Sequence, residues 1–431
     1  MAADLWTNRL SQTHLPEATR ERLMQSRQTF LDELKPARAQ IEHGLGLHYD
    51  SVVGDVQGSV PSRYHGGITG SGFQQRIADE TMRLTACELD DEARAESLLA
   101  FARRGKAFES AYDEQWQVWQ RDLYALSGVG IGSEDIAHPD ENELIQTLTH
   151  LSQARMVYDR LPNVDLITHA SDLVNARDNP GVLLHLAAVG GFAEAEDPLA
   201  NLDLFFGLGV RMSQLTYIQA NRLCCSWLQG TADTGLSDLG RAAVHRMNEL
   251  GMMVDVAHCG PRSAAEAVEA SREPALISHT ACKAIYDDRA NAQYVDLVFA
   301  QPYARGVPRP ETPPSARNAD DDLIRSVAVR GGIVALYSIW YMLAPGDDRS
   351  FDIFARHIEH AVAVAGEDHV ALGTDRTFFP SWAPHPCEWT NWPYLTVGLV
   401  CRGFSDAQVR KIIGANYLRY LRRVLDKAPV E

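Results

Sequence analysis

The sequence predicts an α/β protein built on a (β/α)8 TIM barrel with an N-terminal helical extension, and three observations lead to this fold class. Short apolar runs alternate with amphipathic helical segments at least six times after Gly181. Runs such as GVLLHLAAV at 181–189 and MMVDVAH at 252–258 are apolar at consecutive positions, which is typical of parallel strands covered by helices. No GxGxxG or GxxxxGKS/T motif follows a strand, which disfavours a doubly wound nucleotide-binding sheet.

The composition excludes several classes of protein. The chain has 431 residues, 45% of them hydrophobic, enough for one large α/β domain or two ordinary ones. Because 40 Lys and Arg stand against 57 Asp and Glu, the formal net charge is -17, and no basic surface is expected for nucleic acid. No apolar run reaches the roughly 18 residues of a membrane helix, and the first residues form no apolar signal segment. We therefore expect a cytoplasmic protein that binds neither nucleic acid nor membrane.

Two segments and one insertion describe the predicted organisation. Residues 1–45 contain helix formers with few apolar positions and predict a helical arm. The β-branched run at 50–61 predicts the first strand of a barrel domain over 46–431, and a charged segment at about 79–126 predicts helix. The Pro-rich stretch at about 286–316 predicts a functional loop insertion, with a dimer contact or a decoration as the alternative.

Capping residues place the ends of several predicted helices. Ser237 precedes a helix whose apolar residues follow helical spacing, and Gly251 ends that helix. Ser263 and Glu266 have the spacing of a capping box for the next helix. Ser405 forms the same pattern with the glutamine three residues later.

Polar residues close three of the predicted strands. The runs GMMVDVAH and ALISH end on His258 and His279, and VALGTD ends on Asp375. Functional residues of a (β/α)8 barrel lie at the C-terminal ends of its strands, so these side chains are expected at one rim. Two imidazoles and a carboxylate can hold a divalent metal, and zinc lowers the pKa of its bound water to about 7, which suits hydrolysis. The pattern alone leaves open a second interpretation, in which the histidines are hydrogen-bonded structural residues.

Five blocks of the sequence resemble, in order, those of a known family. Within about 161–425 they are GLSDLGRAAVHRMNELGMMVDVAH, ISHTACKAIYDD, RNADDDLIRSVAVRGGIVALYS, EDHVALGTD and IIGANYLRYL. They resemble the membrane (renal) dipeptidases, which are zinc-dependent (β/α)8 hydrolases of the amidohydrolase group. The resemblance implies that His258 and His279 bind metal, that Asp375 is catalytic and that the chain forms a homodimer. It also implies that Arg317 binds the carboxylate of a small-molecule substrate. Arg289 is a second candidate for that role, but the family block favours Arg317.

The first predicted strand departs from the family at the positions of metal ligands. Where the family has His-x-Asp, this chain has Gln57 and Ser59. Glutamine and serine are weak zinc ligands. His48 and Asp50, just before the strand, form a candidate for a displaced version of the pair.

Two further departures lie on later strands. The glutamate that bridges two metals in the family falls at Val189 or Gly190, and Tyr217 stands where the family has histidine. The resemblance therefore implies one zinc ion at most. The alternative is a metal-free site in which the retained residues act as acid and base, with Tyr217 as a hydrogen-bond donor or oxyanion partner.

Three functions follow, each from a different class. The first is a dipeptidase-like hydrolase that cleaves a small amide or dipeptide with metal-activated water. The second is a metal-depleted homologue that performs acid/base chemistry as a lyase, isomerase or tailoring enzyme on a specialised metabolite. The third is a non-catalytic homologue, which the retained His258, His279, Asp375 and Arg317 disfavour.

Overall fold

The computed structural model describes residues 4–59, 114–136, 144–186, 193, 196–287, 317–339, 342–344, 350–375, 390 and 392–426. Its helices are α1 (Leu5–Ser11), α2 (Glu17–Leu34), α3 (Arg38–Tyr49), α4 (Glu114–Ser127), α5 (Leu144–Tyr158), α6 (Pro198–Gly207), α7 (Asp238–Leu250), α8 (Pro261–Ala270), α9 (Asp321–Val329), α10 (Phe351–Ala365), α11 (Trp392–Arg402), α12 (Asp406–Arg410) and α13 (Asn416–Leu425). Its strands are β1 (Val53–Ser59), β2 (Val129–Asp135), β3 (Asp165–Leu166), β4 (Gly181–Leu186), β5 (Val210–Gln214), β6 (Met253–Asp255), β7 (Leu276–Thr280), β8 (Ile333–Leu336) and β9 (Val370–Leu372). Within these ranges, no helix combines the length and the apolar composition that crossing a membrane requires.

The strands form a parallel barrel. Their order is β1-β2-β4-β5-β6-β7-β8-β9, and the short β3 pairs beside β4. The two ends of this order meet, because the Asp375 N–H donates to the Gln57 carbonyl and Thr374 donates to the Asp55 carboxylate from both its N–H and its hydroxyl. The predicted (β/α)8 fold is confirmed.

The barrel interior changes from apolar to polar along the strands. Toward the N-terminal ends it is filled by Val56, Ile131, Leu183, Met212, Met253, Leu276, Ile333 and Ala371, with Tyr417, Tyr420 and Leu421 of α13. Two residues further along four of these strands lie the buried polar residues His185, Gln214, Asp255 and Ser278. Because side chains alternate between the two faces of a strand, these four share the interior with the apolar layer. The C-terminal end of the barrel is therefore its polar end.

Two of the capping predictions are confirmed. Ser237 is the N-cap of α7, and Gly251 ends that helix with a φ of 77°. A left-handed residue after a helix is usually glycine, because its missing Cβ removes the steric cost. Ser405 and Gln408 form the predicted capping box at α12.

The capping box predicted for Ser263 and Glu266 is wrong. Helix α8 begins two residues earlier, at Pro261. The fixed φ of proline suits the first helical position, and its missing N–H is not needed there. Ser263 consequently lies inside the helix, where its hydroxyl donates to Asp233 at 2.6 Å.

The N-terminal helices pack against the barrel. Trp6 of α1 is fully buried, and its indole N–H donates to the Thr390 carbonyl at 2.7 Å. Helix α3 runs through the boundary predicted at residue 45 and lies against α11, where a Cβ on Gly44 would be 2.8 Å from the Val397 Cα. Only glycine allows backbones to approach so closely.

Two predicted segments fall mainly on residues that the structure does not describe. Of the helical segment at about 79–126, the described part begins at residue 114 and belongs to α4. Of the predicted insertion at about 286–316, residues 288–316 lie outside the described ranges.

Candidate active site

Three residues predicted from the strand ends lie together at the C-terminal rim of the barrel. His279 belongs to β7, whereas His258 follows β6 and Asp375 follows β9. The Nε2 atoms of His258 and His279 are 2.9 Å apart, and the Asp375 Oδ2 is 3.8 Å from the His279 Nε2. His258 and Asp375 have φ angles of 65° and 51°, in the left-handed region that residues other than glycine seldom adopt. Strained backbone of this kind is concentrated at functional sites.

Arg317 and Tyr217 contact the same histidines. The Arg317 Nη1 donates to the His279 carbonyl at 3.3 Å, and the Arg317 Nη2 lies 3.4 Å from the His258 Nε2. The Tyr217 ring lies against the His258 ring, with 4.5 Å between their centroids. Arg289, the alternative to Arg317, lies outside the described residues. The structure thus brings five of the six candidate residues to one place.

Below these residues runs a buried series of hydrogen bonds and ion pairs that the sequence did not reveal. We call it the interior polar chain, and its members in order are Gln57, Asp135, His185, Asp255, Ser278 and His279. The Gln57 Nε2 donates to the Asp135 carboxylate at 2.9 Å. His185 bridges two carboxylates, with its Nδ1 3.4 Å from the Asp135 Oδ1 and its Nε2 3.3 Å from the Asp255 Oδ2. The Ser278 hydroxyl donates to the Asp255 Oδ2 at 2.5 Å, and the Ser278 Oγ is 2.8 Å from the His279 Nδ1.

A weak sequence signal for this chain exists. His185, Asp255 and Ser278 interrupt the apolar runs GVLLHL, MMVDV and LISH, and each stands two residues after an inward-facing apolar residue of its strand. A polar residue at an inward position of a buried strand requires a partner. The partners come from other strands, so the sequence does not identify them.

The two carboxylates favour the charged form of His185. Burial alone would lower the pKa of His185, but the nearby carboxylates of Asp135 and Asp255 prevail and raise it to about 9. For Asp255, burial opposes ionisation, yet the hydrogen bond and charge of His185 hold its pKa below the ordinary value. At neutral pH, His185 is therefore an imidazolium and Asp255 a carboxylate.

The pKa values of His258, His279 and Asp375 at the rim are shifted in the opposite directions to those of His185 and Asp255. Burial and the nearby Arg317 charge hold the pKa values of His258 and His279 well below that of an ordinary histidine, so both rings are neutral at neutral pH. Burial raises the pKa of Asp375 to about 7, with Arg317 opposing the rise and Asp135 adding to it. Asp375 can therefore both accept and release a proton near neutral pH.

The candidate for a displaced metal-ligand pair is wrong. His48 lies on α3, where its ring is buried between the Thr396 hydroxyl and the Ser127 carbonyl, each at 2.8 Å. Asp50 caps the same helix, just before β1. Residues before a barrel strand lie at the N-terminal end of the barrel, opposite the rim that carries the candidate site.

The fold defines the class of the protein as a (β/α)8 barrel, and its C-terminal rim carries a cluster of titratable residues. The chain belongs to the membrane dipeptidase family (peptidase family M19), whose family model matches residues 129–297 and 311–429. The resemblance found in the sequence blocks is therefore confirmed. Val189 and Gly190, the positions of the family's bridging glutamate, lie outside the described residues.

Relatives and solved structures agree with this membership. An uncharacterized dipeptidase of Schizosaccharomyces pombe is 26% identical over 284 residues, which cover 64% of this chain and 62% of the yeast protein. The chain thus spans less than two thirds of the length of that relative. An amidohydrolase from Pseudomonas aeruginosa has a TM-score of 0.60 at 20% identity, over 89% of this chain and 99% of that one. The structure of a metallopeptidase of the same family, dipeptidase AC, has a TM-score of 0.56 at 19% identity, over 70% of this chain and 88% of that one. Because both structures are less than 25% identical to this chain, their likeness shows the fold alone.

The described residues do not fit the usual catalytic zinc site. Such a site has three protein ligands with metal–ligand distances of about 2.0–2.3 Å. Here the converging donors are the two imidazole nitrogens, 2.9 Å apart, and the Asp375 Oδ2 lies 3.8 Å from the His279 Nε2. Among the described residues, no three His, Cys, Asp or Glu side chains form a group that could hold a metal ion. Gln57, at the position of a family ligand, donates to Asp135 instead.

Proposed function

We propose that the chain is a dipeptidase-like hydrolase that cleaves a small amide carrying a free carboxylate, with dipeptides as the first substrate class. The observation that carries this proposal is the cluster of His258, His279, Asp375, Arg317 and Tyr217 at the rim of the barrel. The cluster combines a proton acceptor, a cation and neutral hydrogen-bonding groups. Membership of the chain in a family of dipeptidases supports the same reaction class.

Arg317 is the proposed receptor for the substrate carboxylate. A guanidinium can hold a carboxylate by two parallel hydrogen bonds, which fixes its orientation as well as its position. Because Arg317 lies against His258 and His279, a carboxylate bound to it places the neighbouring amide beside the histidine pair.

Asp375 is the proposed general base. Its ionised form takes a proton from water while the water oxygen bonds to the amide carbon. The carbon–nitrogen bond then breaks, and the same proton passes from Asp375 to the departing amine. The Tyr217 hydroxyl is the proposed donor to the oxyanion. A pKa of about 7 suits both halves of this proton transfer.

The zinc ion expected from the sequence stays a prediction, and the proposed steps use the side chains alone. Because only the Nε2 atoms of His258 and His279 converge, we expect weak zinc binding. Much less than one zinc per chain should remain after dialysis. Elemental analysis of the wild type after zinc loading, beside a His258→Ala, His279→Ala double variant, measures this directly. About one zinc per wild-type chain, absent from the double variant, would establish a metal site and require a metal-bound water in the mechanism.

The reaction is tested by incubating the full chain with dipeptides in ¹⁸O-labelled water. One labelled oxygen is expected in the new carboxylate, and dipeptides with an amidated C-terminus are expected to show a raised KM. Asp375→Asn should lower kcat by about 10²- to 10⁴-fold, the usual range for a general base. Asp203→Asn is the matched control, because Asp203 pairs with Arg246 on the surface of α6.

Other outcomes would point to the other two functions. A product that forms without ¹⁸O and depends on Asp375 would indicate a lyase or isomerase in place of a hydrolase. If the wild type and Asp375→Asn both show only the same background rate on every substrate, the chain is a non-catalytic homologue.

A further inference from the structure

The hydrogen bonds of the interior polar chain determine where its protons lie. The Asp255 Oδ1 accepts from the N–H groups of Ala257 and Ser278, each at 3.0 Å. The Asp255 Oδ2 accepts from the Ser278 hydroxyl and faces the His185 imidazolium. An ionised carboxylate can only accept, so the single hydroxyl proton of Ser278 points to Asp255.

The position of that proton fixes the tautomer of His279. The Ser278 Oγ has only its lone pairs left for the His279 Nδ1, 2.8 Å away, so this nitrogen must carry a proton. A neutral imidazole has one N–H, and the His279 Nε2 is therefore an acceptor. The 2.9 Å contact between the two Nε2 atoms must then be donated by His258, so the Arg317 Nη2, 3.4 Å from the same His258 nitrogen, makes no hydrogen bond to it.

We propose that Asp255 is a positioning residue that acts through Ser278 to hold His279 in its Nδ1–H tautomer, with the Nε2 lone pair facing the rim. In this form His279 can accept a proton or a cation at the rim. In the other tautomer the His279 Nε2 carries the proton and can only donate at the rim. The assignment of the tautomer rests on the hydrogen-bond geometry together with an ionised Asp255 and a neutral His279 ring, whereas its catalytic consequence rests on the proposed function.

His185 supports this arrangement from the opposite side of Asp255. It is a cation placed 3.3 Å from the Asp255 Oδ2 and 3.4 Å from the Asp135 carboxylate. A cation at this distance favours the ionised form of Asp255, which is the form that accepts the Ser278 proton. None of Asp135, His185, Asp255 and Ser278 was among the residues predicted from the sequence.

The Asp255→Asn variant should invert the tautomer. The two backbone N–H groups at the Oδ1 position require an acceptor, so the amide oxygen of the asparagine takes that place. Its NH₂ group then faces the Ser278 Oγ and donates to it. The Ser278 hydroxyl proton turns to the His279 Nδ1, which must lose its own proton, and the His279 Nε2 becomes the N–H.

The tautomer is measured by NMR of the ring nitrogens in the full chain labelled with ¹⁵N-histidine. The signals of His279 are those missing from a His279→Gln spectrum. Two other histidines serve as internal standards, because a carbonyl fixes the proton of each: His369 donates from Nδ1 to Gly332 at 2.9 Å, and His48 donates from Nε2 to Ser127 at 2.8 Å. Wild-type His279 should match His369, and His279 in Asp255→Asn should match His48.

Variants of Ser278 keep the inference testable if Asp255→Asn does not fold. Ser278→Thr retains the hydroxyl and should keep the wild-type tautomer. Ser278→Ala removes the hydroxyl that links Asp255 to His279 and should give a mixture of both tautomers. A wild-type His279 with its proton on Nε2, or a folded Asp255→Asn with the wild-type pattern, would overturn the inference. So would a Ser278→Ala spectrum identical to the wild type.

Kinetics separates this inference from the proposed function. Asp255→Asn should lower kcat by about 10²-fold or more with a smaller change in KM, and Ser278→Thr should restore most of the rate that Ser278→Ala loses. An inverted tautomer in Asp255→Asn with an unchanged hydrolysis rate would refute the catalytic consequence and leave the tautomer assignment intact. An inverted tautomer in a chain that hydrolyses none of the substrates would count against the proposed function alone.

Discussion

At His185 and His48, two equally buried imidazoles have pKa values shifted in opposite directions. Both side chains are fully buried. His48 has only neutral hydrogen-bonding partners, and burial lowers its pKa to about 4. His185 lies between two carboxylates, whose attraction exceeds the cost of burial and raises its pKa to about 9. The charge of a buried histidine is thus decided by its partners and not by its depth.

This difference predicts opposite effects of pH on stability. The folded pKa of His185 is raised, so its contribution is complete below the unfolded value of 6.5 and is lost as pH rises toward about 9. His185→Gln should cost about 3–5 kcal/mol at pH 6, because two carboxylates lose their buried cation. The difference in unfolding free energy between wild type and His185→Gln should then shrink between pH 6.5 and 9.

Denaturant titrations across this range measure both effects. His48→Gln is the matched control: the contribution of a lowered pKa is lost as pH falls from 6.5 toward 4, so above pH 6.5 its difference from wild type should stay constant. Parallel stability curves for wild type and His185→Gln from pH 6 to 9.5 would show that His185 is not charged in the folded protein.

At the scale of the elements, small residues on the last strands leave room for the polar end of the barrel. Gly373, directly after β9, approaches β7 so closely that a Cβ on it would lie 1.9 Å from the Ser278 carbonyl. The inward neighbours Ala335 and Ala371 are also small. The ends of β7, β8 and β9 can therefore come together around Ser278 and His279.

Gly373→Ala should lower the free energy of unfolding by about 1–3 kcal/mol, because the added methyl group must displace backbone. Gly46→Ala is the control: it lies in α3, a Cβ there would meet nothing within 4 Å, and replacing a helical glycine stabilises by about 0.5–1 kcal/mol. Urea unfolding of both variants should therefore give changes of opposite sign. A Gly373→Ala protein as stable as wild type would mean that the strand ends are loosely packed.

At the scale of the whole molecule, the N-terminal helices are held to the last part of the chain. Trp6 is bonded to Thr390, and the Arg27 guanidinium is bonded to both Asp4 and the Tyr394 hydroxyl. The contacts of Trp6 with Thr390 and of Arg27 with Tyr394 join residues more than 360 positions apart. We therefore expect the helices and the barrel to unfold as one cooperative unit.

Trp6→Ala tests this expectation. Removing a fully buried tryptophan should cost about 3–5 kcal/mol and shift the single unfolding transition of the protein. Trp119→Ala is the comparison, because Trp119 is only partly buried and its indole donates to the His14 carbonyl at the surface, so its loss should cost less. A separate early transition in Trp6→Ala, with the main transition unmoved, would show that the helices are an independent arm.

Much of the fold and the centre of the candidate site could be predicted from local patterns. The apolar runs and the caps at Ser237, Gly251 and Ser405 indicated alternating strands and helices, because these signals depend on neighbours in the chain. The strand-end positions of His258 and His279 followed from the same pattern. The capping box predicted at Ser263 was wrong because Pro261, two residues earlier, is the stronger signal for the start of the helix.

The sequence by itself determined the alternation of strands and helices, the barrel and the strand-end histidines, since each depends on spacing along the chain. The family and Arg317 were indicated by the resemblance of whole sequence blocks. Only the tertiary structure decided that His48 is a structural residue, that Gln57 binds Asp135, and that His185 is charged. Those outcomes depend on partners from distant strands and helices. Because the energy of a buried charge or hydrogen bond is set by the atoms around it, no local pattern contains that information.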